Sequence, residues 1–167
     1  MITSLSHLTS GEEQDVARQV KRFFSATAKF RETLVGLEEQ VMDVKSTTDE
    51  HGGIQKEFDE AVEELLKEAD ELEKAVNDKL LMKKVKDHFR TLVRCWVKDT
   101  RWVDRAYRKP RGYPGDAKLL EAIYDNKPIF DQGVSSCFDR NFLNDTYAIA
   151  IRNRKEKTKD LLHQFLN

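Results

Sequence analysis

The sequence predicts an all-α protein: a single helical domain, residues 1–167, with long antiparallel helices forming a bundle and shorter helices toward the carboxy-terminal end. Three observations carry that expectation. Apolar residues recur every third or fourth position over long stretches, the period of a helix with one buried face. No alternating strand pattern of any length appears. Turn-forming residues are concentrated between Arg105 and Tyr124, a stretch of twenty positions that holds two prolines and two glycines.

Residues 1–10 read as a loose lead-in. Ser10 and Glu13 have the spacing of a capping box, in which the hydroxyl takes an orphan amide and the carboxylate reaches back. Val16, Val20, Phe23, Phe24, Thr27, Phe30, Leu34, Leu37 and Val41 then follow at three and four, predicting a helix over 11–44 whose phenylalanines are core. Lys45 to Gly53 is a polar turn with two glycines, suited to an antiparallel return, and His51 within it reads as exposed and inert. Ile54, Phe58, Ala61, Val62, Leu65, Ala69, Leu72 and Val76 form a near-heptad pattern among glutamates and lysines, as in a surface-facing bundle helix. The apolar face continues from Leu80 to Tyr107. A single helix over 54–107 would be unusually long for a globular domain, so a break is expected near Asn77 and Asp78.

The stretch from Arg108 to Asp116 is the one that helix packing does not explain. Pro110 turns Lys109 away from the right-handed helical region and so ends the preceding helix near Arg108. Gly112 and Gly115 permit dihedrals or close approaches that a side chain forbids, and Pro114 fixes its own dihedral without an amide hydrogen. Asp116 stands as the N-cap of a helix over 117–125, whose stripe is Leu119, Leu120, Ile123 and Tyr124. Beyond it Asn126, Lys127 and Pro128 make a turn, Ile129 and Phe130 pack back, and Asp131 to Gly133 open a further loop. Short and long helices follow at 136–143 and 145–165, the last with Arg152, Arg154, Lys157 and Lys159 on its outer face.

Composition narrows the functional classes. The formal net charge is -1 with 35% charged residues, which argues against nucleic acid or an anionic membrane as partner. The charge is uneven: residues 1–100 carry 16 basic and 21 acidic side chains, net -5, and residues 101–167 carry 13 and 9, net +4. Cys95 and Cys137 have no metal or disulfide spacing, the four histidines are widely separated, and His88 beside Phe89 reads as a helix-flank residue. No apolar run approaches membrane-spanning length and no leader pattern opens the chain, so the cytoplasm is the expected compartment. No phosphate loop, zinc motif or nucleophile elbow occurs, and no catalytic or metal-ligating residue is assigned.

Arg108-Lys109-Pro110-Arg111-Gly112-Tyr113-Pro114-Gly115-Asp116, followed by a helix with Ile123 and Tyr124, resembles the Lys-Pro-x-Gly-Tyr-x-Gly-Asp signature of a group of bacterial S-adenosylmethionine-dependent methyltransferases, including ones that make hydroxy fatty acid methyl esters. Ala150 to Glu156, with Arg152-Asn153-Arg154, resembles the segment of that group that leads into the catalytic domain. The resemblance covers roughly residues 100–167, and it implies a helical amino-terminal domain whose partner is a Rossmann-like domain, in cis or in trans, that binds S-adenosylmethionine. No such strand or glycine loop occurs in this chain, so no cofactor is expected for it alone. The expected lid residues are Arg108, Arg111, Tyr113, Asp116, Tyr124, Arg152 and Arg154. They would face a small carboxylate or acyl substrate or the carboxylate of the cofactor, with Tyr113, Tyr124 and Trp102 excluding water around Arg108 or Arg111. The plainer reading of Asp116 is occupation wholly in capping, and that of Arg152 and Arg154 is exposure on the outer face of their helix. Two other readings stand beside it: a helical interaction or homodimerisation module, which apolar exposure from Phe58 to Val76 would favour, and a small-molecule sensor.

Overall fold

A computed structural model describes residues 10–43, 48–113, 115–127 and 133–166. All seven elements among them are helices: α1 (Ser10–Asp43), α2 (Thr48–Ala75), α3 (Lys79–Val97), α4 (Trp102–Arg108), α5 (Ala117–Asp125), α6 (Ser135–Asn144) and α7 (Thr146–Leu166). The all-α expectation is met. The chain divides into two compact units, residues 1–94 and 95–167, with the boundary inside α3.

In the first unit α1 and α2 pack as an antiparallel pair. Phe23, Thr27, Phe30, Leu34 and Leu37 are buried on α1, at alternating spacings of four and three, and Ile54, Phe58, Leu65 and Leu72 are buried on α2. That spacing is the seam of a coiled-coil-like contact, and side chains along its flanks set the register. Arg22 meets Glu68 at 2.8 Å, Lys29 meets Glu64 at 2.6 Å, and the Gln40 amide donates to Glu57 at 3.4 Å. Thr27, fully buried among apolar neighbours, donates its hydroxyl to the Phe23 carbonyl at 2.9 Å and so leaves no polar atom stranded. The amino-terminal part of α3 adds Val85 and Val93, with Phe89 5.6 Å from the Phe23 ring.

The break foreseen near residues 77 and 78 is present. Val76 closes the α2 ladder through its amide, and Asp78 caps α3 by accepting from the Leu80 and Leu81 amides at 2.7 and 3.2 Å. A second break, not anticipated in the apolar pattern, separates α3 from α4 at residues 98–101. Of the Phe58 to Val76 stretch, which exposure would have marked as a docking surface, Phe58, Leu65, Leu72 and Val76 are buried, Ala61, Val62 and Ala69 are half-buried and Leu66 is exposed.

The second unit packs α4, α5, α6 and α7 around Leu119, Ile123, Leu143, Ala148 and Ile151, with Trp102, Ala106, Leu120, Tyr124 and Phe142 at the margin. Helices α5, α6 and α7 begin within a residue of their expected starts. The turn expected over 45–53 is shorter than that, because α2 already begins at Thr48 and carries Gly52 and Gly53 in its first turns. The contacts expected of Ile129 and Phe130, the turn role of Pro114 and the side chain of His51 lie outside what is described.

Candidate functional site

The organising segment is built on α4, a helix of two turns whose first amides need partners that its own ladder cannot supply. Asp139 on α6 supplies three of them. Its Oδ2 accepts from the Arg101 amide at 2.7 Å, and its Oδ1 accepts from the Trp102 and Val103 amides at 2.9 and 3.1 Å. Thr100 accepts the fourth, from Asp104, at 2.8 Å, and donates to the Val97 carbonyl. A buried carboxylate at a helix amino terminus is favourable on charge as well as on hydrogen bonding.

Asp116 holds the other side of the same helix. As expected it caps α5, with the Leu119 amide donating to Oδ1 at 3.0 Å. It also receives Arg105 of α4 in a two-point contact, Nε to Oδ1 at 3.0 Å and Nη2 to Oδ2 at 2.5 Å. The carboxylate is 2% exposed and the guanidinium 24%. The fork geometry of arginine matches both oxygens at once, which lysine cannot do. The Arg105 hydrogen bond holds the Asp116 carboxyl below the usual carboxylate range. Burial acts in the opposite sense, and the Leu119 amide and the charges of Arg105 and Arg111 reinforce the lowering. Capping alone therefore does not account for Asp116, because it is also the anchor of an ion pair that closes the loop.

Between these anchors the chain turns tightly. Lys109 caps α4 in the left-handed region at φ 47°, its amide bonded to the Arg105 carbonyl, and the Gly112 amide donates to the Lys109 carbonyl at 2.8 Å. Gly112 and Gly115 have φ of 82° and 77°. A Cβ at either would meet no atom within 4 Å, so they are required by the sign of φ and not by close approach. Lys109, Pro110, Arg111, Gly112 and Tyr113 are all exposed.

The predicted residues do not converge on one site. Arg111 and Tyr113 stand exposed on the loop, and Asp116 is its anchor. Arg108, expected in a water-excluded ion pair, is exposed and pairs with Asp104 at 2.6 Å within its own helix; Tyr113 is about half exposed and excludes no water around it. Arg152 is occupied elsewhere, donating to the Leu143 carbonyl at 2.7 Å and so satisfying the end of α6. Tyr124 and Arg154 meet on a different surface, an open groove of about 440 Å³ between the end of α5 and α7, where the Lys155 ammonium lies 4.7 Å from the Tyr124 ring centroid. Arg105 and Asp139, the residues that do most to position the loop, are absent from the sequence-based set. Asp139 lies 38 positions from Arg101, and no local pattern signals that pairing.

Comparison with known proteins returned no match to a family model, a curated protein or a solved structure. The described residues hold no strand, so the strand and glycine turn that cradle a nucleoside cofactor are not built from them. What they do provide is a basic and aromatic loop whose flanking helices are tied by Asp139 at the start of α4 and by the Arg105–Asp116 pair. No described helix is long and apolar enough to cross a membrane.

Proposed function

We propose that this chain is the amino-terminal cap of an S-adenosylmethionine-dependent methyltransferase. It positions substrate against a Rossmann-like domain that carries the cofactor and is not catalytic by itself. The observation that carries this reading is the clamped loop: the residues of the signature, Lys109 to Tyr113, are exposed, while its end at Asp116 is fixed by Arg105. Methyl transfer needs chiefly alignment of nucleophile and methyl group, and a loop already fixed in shape supplies alignment at little entropic cost. In this role Arg111 offers its charge to an anionic group of the substrate, and Tyr113 limits access of water once the two domains meet.

A sensor or an interaction module would use the same loop without chemistry. Burial of Phe58, Leu65, Leu72 and Val76 gives the module reading less support than the cap reading, although Leu66 in the same stretch is exposed. The cap reading is tested by calorimetric titration of S-adenosylmethionine and S-adenosylhomocysteine into the chain alone and into a mixture with a Rossmann-like methyltransferase domain from the same genome. The chain alone is expected to give no binding heat. In the mixture, Arg111→Ala is expected to lower methyl-transfer kcat/KM by about tenfold, the loss of roughly one charge-assisted hydrogen bond. Cofactor binding by the chain alone that Arg111→Ala and Asp116→Asn abolish would contradict it.

A further inference from the structure

We draw no further inference here: the strongest candidate, the exposed apolar patch at the end of α7 formed by Leu161, Leu162, Phe165 and Leu166, carries nothing because nothing in the structure shows what covers it.

Discussion

Asp116 and Asp139 are two buried carboxylates with different partners, and their difference is measurable. Asp116 faces a guanidinium, and its folded pKa lies below the ordinary value. Its stabilisation is therefore complete above the unfolded carboxyl pKa of about 4 and is lost as pH falls through the lower folded value. Thermal melts from pH 7 to pH 3 should show a steeper loss of stability in the wild type than in Asp116→Asn; parallel curves would assign the ion pair no energetic role. Asp139 accepts from three backbone amides at the start of α4. Asp139→Ala should cost about 2 kcal/mol in urea denaturation, the upper end for loss of a helix cap. A cost below a few tenths would mean that water replaces the carboxylate without penalty. Of this pair the sequence announced only Asp116, because capping is a local rule that reads a residue against the helix just after it. Arg105 lies eleven positions away and Asp139 thirty-six to thirty-eight from the amides it serves, separations at which no propensity or spacing rule operates.

At the level of elements, the periodic signal was strong where a helix buries one continuous stripe. The bounds of α1 and α5 follow from such stripes, whereas α7 buries only Ala148 and Ile151 and leaves Leu162 and Phe165 of its expected stripe exposed; the break before α3 follows from Asp78, a cap residue standing where the heptad pattern falters. The break at 98–101 was hidden because Trp96, Val97, Thr100 and Val103 keep the spacing of three and four across it. Thr100 is buried there as a cap, its hydroxyl taken by the Val97 carbonyl and the Asp104 amide, so a residue that matched the stripe in fact interrupts the helix. The loop after α4 can be tested at this scale through its dihedrals. Gly115→Ala places a side chain at φ 77° in open space, so its cost is conformational alone, about 1 kcal/mol. Lys109→Gly relieves a left-handed residue at φ 47° and should leave stability unchanged or raise it by up to about 1 kcal/mol. Chemical denaturation of both variants checks the opposite signs; equal destabilisation would show that the loop is not held in the described conformation.

For the whole molecule, each compact unit has its own device for holding helices together. The first relies on a long apolar seam with charged flanks that fix antiparallel register. The second is smaller, and it combines a modest apolar cluster with carboxylates that tie its shortest helix, α4, to α5 and α6. That arrangement leaves Lys109 to Tyr113 exposed between two anchored helix ends, and the proposed positioning role requires the loop to keep its shape there. Amide hydrogen exchange over residues 105–119, comparing the wild type with Arg105→Gln, tests this most directly. Loss of the guanidinium should speed exchange at the Gly112 and Leu119 amides while leaving Trp102 and Val103, held by Asp139, unchanged. Identical exchange at Gly112 and Leu119 in the two proteins would contradict the account, because the loop would then keep its shape without the clamp.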